Sequence, residues 1–357
     1  MPPDPLRAAV VGYGLAGAVF HAPLIAAVEG LEVAAIVTGN PERRAQAERE
    51  HPGARLYASA AELWADASHY DLAVVATANR VHAEFTIAAL GAGLPVVVDK
   101  PMAPNVGDAE AMIAAAESAG RMLTVFHNRR WDAEWLTLRK LVGEGLLGEL
   151  TRLESRFDRF RSAPREGAWR EAADPAGAGG VLWDLGPHLI DQACLLFGAP
   201  THVYAEVGTR RPGALVDDDA FVALRFAGDR IAHLWTSQTA AIAGPRVRLN
   251  GLAGAYEHHA VDPQEDQLKA GLRPGDAEWG SEPAELYGRL VTGGPEPRDV
   301  RVPTERGTWE RYYEAVHDAL REDGPPPVDP RDGLRAVAVV EAAHRSAESD
   351  SVVPFPA

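Results

Sequence analysis

The sequence predicts two domains, an α/β domain on a parallel sheet followed by an α+β domain with a mostly antiparallel, open sheet. Three observations lead there. The 357 residues exceed what one ordinary core holds. From Arg7 to about Val125, short apolar runs alternate with helical segments, the signature of stacked βαβ units. After His127 the runs lengthen and follow one another through tight turns, as paired antiparallel strands do. The division is placed near residue 126, giving residues 1–126 and 127–357.

In the first part, strands are expected over Ala8 to Val11, Val33 to Val37, Leu72 to Ala76, Val96 to Val98 and Leu123 to Phe126. Helices should begin near Leu15, Pro41, Ala60, His82 and Val106. Asn40-Pro41 supplies an N-cap with proline at the first helical position, and Gly91 to Gly93 ends the fourth helix. In the second part a helix from Glu134 to Val142 stops near Gly143. Strands follow over Leu150 to Phe160, Thr201 to Gly208, Ala220 to Phe226, Ile231 to Thr239 and Val247 to Leu249. Trp309 to Leu320 and Gly333 to Ala347 read as late amphipathic helices.

The formal charge of −16 and the absence of a Lys/Arg stripe argue against nucleic acid as a partner. No apolar run approaches the roughly 20 residues that span a bilayer, and Met1-Pro2-Pro3-Asp4-Pro5 lacks a basic region before an apolar stretch. A soluble, cytoplasmic protein without membrane contact is expected. Cys194 stands alone, reads as a small buried hydrophobe, and belongs to no zinc spacing, so no metal is expected.

Gly12-Tyr13-Gly14-Leu15-Ala16-Gly17 has the G-x-G-x-x-G spacing between an expected strand and an expected helix. In that context the first glycine permits the turn, the second admits a pyrophosphate, and the third lets helix pack on strand. The helix start then offers N–H groups and a positive dipole end to phosphates, as in a Rossmann dinucleotide-binding domain. NAD sites carry an Asp or Glu about 20 residues past the glycines for the ribose 2′-hydroxyl. Here the second strand ends Val37-Thr38-Gly39-Asn40, with Arg43 and Arg44 one turn on. Thr38 and Arg43 suit a 2′-phosphate, so NADP is favoured over NAD.

Asp99-Lys100-Pro101 closes the apolar run Leu94 to Val98, which puts a lysine where a buried parallel strand opens into a cleft. Asp184 precedes His188 by four residues, and Gly186-Pro187 marks a helix start, so His188 is expected in the first turn. The positive helix end would keep its imidazole neutral while Asp184 sets its tautomer. Oxidising a carbinol sends a hydride to a nicotinamide and a proton to a base. His188 can be that base, Lys100 can stabilise the substrate oxygen, and Asp184 can orient His188 or share the proton.

Other residues have plainer readings. Adjacent His258 and His259 cannot readily converge on one ion from a strand and read as a loop pair. Asp217-Asp218-Asp219 reads as a solvated turn opening the next strand. Trp309, Tyr312 and Tyr313 sit at helical spacing and default to core packing.

The glycine loop, Asp99-Lys100-Pro101 and Asp184-x-x-x-His188 together resemble the Gfo/Idh/MocA oxidoreductase family. Further strings resemble its NADP-linked scyllo-inositol dehydrogenase branch. They are Phe20-His21-Ala22-Pro23-Leu24, Val125 to Asp132, Phe157 to Arg161, Trp183 to His188 and Asp262-Pro263-Gln264-Glu265. The resemblance implies Lys100, Asp184 and His188 as the catalytic set. It also implies Thr77, Asn79 and His82 along the cofactor, Asp99 beside it, and Asn128, Trp169 and Arg170 reaching it. A cyclic polyol or sugar is the implied small-molecule substrate, and the open sheet the implied interface of a homodimer or homotetramer. Asp99 stands where the wider family usually has glutamate, though this branch also shows aspartate, and Ala78 where proline is usual. Tyr256-Glu257-His258-His259-Ala260 replaces a stretch that carries lysine, tyrosine and glycine in the branch. That replacement keeps a biosynthetic ketosugar reductase open; the family resemblance adds a non-catalytic dinucleotide-sensing regulator, against which the presence of Lys100, Asp184 and His188 argues, and a glycoside-cleaving oxidoreductase.

Overall fold

The computed structural model describes residues 4–164, 171–174 and 177–355. Packing divides the chain into two units. The first holds the chain up to Asn128 together with Gln264–Trp279 and Thr308–Leu334, and the second holds the remainder.

The sheet of the first unit is wholly parallel, with strand order β3-β2-β1-β4-β5-β6. Its strands are β1 (Leu6–Val11), β2 (Leu31–Val37), β3 (Arg55–Tyr57), β4 (Leu72–Val75), β5 (Val96–Val98) and β6 (Leu123–Val125). Every residue of β4, β5 and β6 is buried, which is why these strands read as unbroken apolar runs rather than alternating ones. The crossover helices include α1 (Ala22–Ala26), α2 (Pro41–Glu50), α3 (Ala60–Ala65), α4 (His82–Gly91) and α5 (Val106–Ala119). Three begin at side-chain caps, where Asn40, Ser59 and Asn105 accept from the amides of Arg43, Glu62 and Asp108. Strand order reverses between β1 and β4, the switch point where an open α/β sheet has its crevice.

A single cut near residue 126 does not describe this unit, because two later segments complete its core. They carry α8 (Gln264–Lys269) and α9 (Glu310–Glu322). Gln264 Oε1 accepts from the Trp309 amide at 2.7 Å, and the Trp309 ring meets Phe20 edge-on at 6.0 Å. Tyr312 packs edge-on against Phe126 at 5.0 Å, and its hydroxyl bonds Thr124 Oγ1 at 3.3 Å. Trp309, Tyr312 and Tyr313 are therefore core residues, as their spacing predicts.

The sheet of the second unit has nine strands in the order β14-β13-β12-β11-β7-β10-β9-β8-β15. Only the β7–β10 pairing is parallel. The strands are β7 (Leu150–Asp158), β8 (His202–Gly208), β9 (Asp219–Arg225), β10 (Ile231–Ser237), β11 (Val247–Gly251), β12 (Gly254–His258), β13 (Gly288–Thr292), β14 (Arg298–Val302) and β15 (Val353–Pro354). Besides α6 (Ala133–Gly143), this unit has α7 (Val181–Phe197), which packs on β7, β9 and β10. The strands alternate accordingly. Leu153, Ser155 and Phe157 are buried, while Arg152, Glu154 and Arg156 lie on the other face with Phe221, His233 and Trp235. On that face the Arg156 guanidinium sits 4.2 Å from the Trp235 ring centroid, and Arg248 pairs with Glu154 and Glu257. The last long helix, α10 (Pro330–Ser349), spans the division of the chain.

Three sequence readings need correction. First, α7 starts at Val181, so Asp184 occupies the first turn, Pro187 lies inside the helix and His188 is one turn deeper. Second, the aspartate run is not a solvated turn. Asp218 is buried and accepts from the Arg210 amide and from the Arg211 amide and Nε. Third, His258 closes β12 with its ring buried, Nε2 at 2.9 Å from Glu282 Oε1, while His259 is exposed.

Candidate active site

The glycine loop leaves β1 at Val11. Gly12 has φ +100°, and a Cβ there would lie 2.6 Å from the Ala76 carbonyl oxygen. A Cβ on Gly17 would lie 2.0 Å from the Gly12 oxygen, so the loop and the following helical segment (Ala16–His21) close on each other only without side chains. That is the cradle a dinucleotide pyrophosphate needs. Leu15 is half-exposed, and Ala16 opens the helical segment. Tyr13 turns inward, its hydroxyl donating to Glu50 Oε2 at 2.6 Å, and burial together with Glu50 raises its phenol far above the usual range. Tyr13 thus anchors the loop to α2.

Arg43 reaches from the first turn of α2 back to this loop. Its Nη1 lies 3.6 Å from where a Gly14 Cβ would stand. Thr38 is buried at the end of β2, and its Oγ1 faces the Asn40 amide at 3.4 Å. The guanidinium thus lies over the glycine loop, beside a strand end, Thr38-Gly39-Asn40, without a carboxylate.

Thr77 and Asn79 follow β4, with Asn79 buried. The His82 ring braces two turns, Nδ1 lying 2.9 Å from the Pro101 carbonyl and Nε2 3.3 Å from the Thr77 carbonyl. Burial lowers its pKa, against the opposing pull of Asp99 and the facing carbonyls. Asp99 follows β5, and its Oδ1 accepts from the Lys100 amide at 2.8 Å. Burial alone would raise this carboxyl, but His21, Lys100 and His82 outweigh it and hold Asp99 below its usual range. Lys100 comes next in the chain, joined to Pro101 by a cis peptide bond. Asn128 is buried at the start of the turn Asn128–Trp131.

In the second unit, α7 presents Asp184 and His188 four residues apart, hence on one helix face. His188 is buried, with the Phe157 ring 6.3 Å away. Pro187 lacks an amide for the Trp183 carbonyl, which loosens the helix between the two. The start of α7 is capped from a distance, because Asp217 Oδ2 accepts from Leu182 N at 2.8 Å and the Asp217 carbonyl from Val181 N at 2.9 Å. Further along, Arg130 grips Asp191 through two bonds of 2.6 and 2.8 Å, and Gln192 donates to the Arg129 carbonyl at 3.0 Å. Trp169 and Arg170 lie outside the described residues.

Two family models cover most of the chain. Residues 6–127 match the NAD-binding Rossmann fold of the Gfo/Idh/MocA oxidoreductases, and residues 139–355 match their C-terminal alpha/beta domain. The chain belongs to the Gfo/Idh/MocA family. It is similar to scyllo-inositol 2-dehydrogenase (NADP(+)) of Bacillus subtilis, at 33% identity over 98% of this chain and 96% of that protein. It is 38% identical to an uncharacterized oxidoreductase of Escherichia coli, over 97% of each chain. Among solved structures, a Bacillus subtilis chain in a triclinic form superposes with a TM-score of 0.93 at 32% identity, covering 99% of both.

As a Gfo/Idh/MocA member the chain is an oxidoreductase with a nicotinamide-dinucleotide domain. Among the described residues no helix is long and apolar enough to cross a membrane, and no group of three His, Cys, Asp or Glu could hold a metal. Sequence reasoning missed the parts that hold the site in place. They are the Asp217 cap, the Arg130–Asp191 pair, and the contacts of His21, whose string was noted for resemblance and given no task.

Proposed function

We propose that the chain is an NADP-dependent dehydrogenase or reductase that interconverts a hydroxyl of a cyclic polyol or sugar with its ketone. The favoured pair is scyllo-inositol and scyllo-inosose, and the cytoplasm is the favoured site of action. For the cofactor, the carrying observation is the Arg43 guanidinium above Gly14 beside a strand end without a carboxylate. For the substrate, support comes from similarity along nearly the whole chain to a scyllo-inositol 2-dehydrogenase.

The bound nicotinamide supplies the hydride chemistry. Gly12, Gly14 and Gly17 bring backbone to the pyrophosphate, and Thr38 and Arg43 hold the 2′-phosphate. Lys100 Nζ donates a hydrogen bond to the substrate oxygen and stabilises its developing negative charge. A His188 ring nitrogen takes the hydroxyl proton during oxidation and returns it during reduction. Asp184, on the same face of α7, fixes the imidazole or shares that proton.

Purified protein assayed with NADPH and NADH against scyllo-inosose and a set of ketosugars tests this reading. Preferred reduction of scyllo-inosose with NADPH is expected. Turnover of ketosugars alone would move the substrate to that class, and equal rates with NADH would remove the cofactor assignment. Arg43→Ala should raise the KM for NADP by roughly tenfold or more, the value of one charge-assisted contact, and leave that for NAD unchanged.

The half-buried sheet face around Phe221, His233 and Trp235 is the proposed interface of a homodimer or homotetramer. Its rings pack on one another, Phe221 to Trp235 at 5.1 Å, within a fringe of ion pairs. Trp235→Glu should shift light-scattering mass to the monomer, and an unchanged mass would place the interface elsewhere.

A further inference from the structure

We propose that Tyr313, His21 and Asp99 form a positioning relay for Lys100, in which His21 holds the Asp99 carboxylate and that carboxylate holds the Lys100 backbone. The inference rests on the assignment of Lys100 to the substrate oxygen. All four residues belong to the first unit.

His21 is fully buried, its ring 4.3 Å from that of Phe126. Its Nδ1 lies 2.6 Å from the Tyr313 hydroxyl, and its Nε2 lies 3.8 Å from Asp99 Oδ1. The same Oδ1 accepts the Lys100 amide at 2.8 Å. A continuous line of polar atoms therefore runs from the Tyr313 hydroxyl to the lysine backbone.

The proton positions follow from the partners. An ionised carboxylate only accepts, so a ring with one proton carries it on Nε2, facing Asp99. Nδ1 is then the acceptor, and Tyr313 must donate to it. Burial keeps the Tyr313 phenol well above its usual value, which secures that donor. Beyond 3.5 Å the His21–Asp99 contact acts as a charge–dipole attraction more than as a hydrogen bond.

Packing alone does not account for the arrangement. An apolar ring would fill the His21 site, whereas a carboxylate with only 13% of its side chain exposed is costly unless polar groups compensate it. Asp99 is compensated on one side of Lys100, and the Pro101 carbonyl is held by His82 on the other. Lys100 thus stands between two fixed neighbours, and an ammonium placed to about half an ångström is what stabilising a developing charge requires.

The test uses the full chain and four variants. In cofactor-free, 15N-histidine-labelled protein, the His21 resonances, assigned by their loss in His21→Leu, should show protonated Nε2 and bare Nδ1. Tyr313→Phe should displace the Nδ1 signal. With NADPH and scyllo-inosose, His21→Leu should lower kcat by roughly tenfold to a hundredfold, with the NADPH dissociation constant unchanged. His21→Gln, which restores an N–H toward Asp99, should recover most of that loss. If His21→Leu does not fold, Tyr313→Phe carries the test, with a kcat loss of roughly fivefold expected. A proton on Nδ1, or wild-type kcat in the variants beside an inactive Lys100→Met, overturns the relay alone. Full activity of Lys100→Met overturns the lysine assignment beneath it.

Discussion

Lys100→Met should lower kcat by roughly 10²–10³-fold while NADPH still binds, because the substitution keeps an unbranched side chain through the ε position and removes the terminal ammonium with its charge and N–H donors. The nucleotide cradle lies elsewhere, in the loop after β1, where Gly12 and Gly17 admit no side chain. Fluorescence titration of NADPH reads binding, and single-turnover oxidation of the bound cofactor reads the chemical step. A Lys100→Met protein that binds NADPH and turns over at the wild-type rate would leave the substrate oxygen in need of another donor. The same pair of measurements on His188→Asn should show a kcat loss of roughly 10²–10⁴-fold, the range of a lost general base.

The largest expected effect on stability belongs to Asp191→Ala. Asp191 is 3% exposed and Arg130 11% exposed at the side chain, and their bonds of 2.6 and 2.8 Å are the bidentate form. Removing the carboxylate leaves a buried guanidinium without its main compensation, at a cost of about 3–5 kcal/mol. For a unit of this size that lowers the melting temperature by about 10 °C. Asp191→Asn, which keeps an acceptor, should lose less. Arg130→Lys should fall between them, since an ammonium cannot reproduce the fork. A change under about 1 kcal/mol in Asp191→Ala by urea unfolding would show that water replaces the lost partner. Because this pair fixes α7 to the Asn128–Trp131 turn, activity should decline with stability even though neither residue is assigned to the substrate.

How far the sequence could be read depended on how local each signal was. The parallel strands were legible because complete burial writes itself as Leu72-Ala73-Val74-Val75 or Val96-Val97-Val98. Strand β3 escaped because three residues beginning at an exposed Arg55 make no run. Strand β14 escaped because Arg298-Asp299-Val300-Arg301-Val302 is an exposed edge, charged as edges are. The glycine loop was legible because its meaning lies within six residues and one flanking strand.

The start of α7 was not legible, for an instructive reason. Pro187 is a strong local mark for a first helical position, whereas the group that caps the helix is Asp217, 35 residues from Leu182 in sequence. The aspartate run was misread with it, since each carboxylate there serves partners brought by the fold. Tyr256 to Ala260 drew attention as the least typical stretch. Tyr256 and His258 prove to be buried within the sheet, while Glu257 points outward to Arg248. The chemistry of its residue types was visible, and the direction of its side chains was not.

The hydrogen bond between His21 and Tyr313 joins residues 292 positions apart. During synthesis the nucleotide-binding half emerges first, yet its sheet lacks the tyrosines that cover Phe126 and the donor that fixes His21 until α9 has been made. Closure of so long a loop is slow compared with local folding. A chain still on the ribosome should therefore hold Lys100 without the Tyr313–His21 contact behind it, and completion of that part of the first unit becomes a late event, coincident with the arrival of α9.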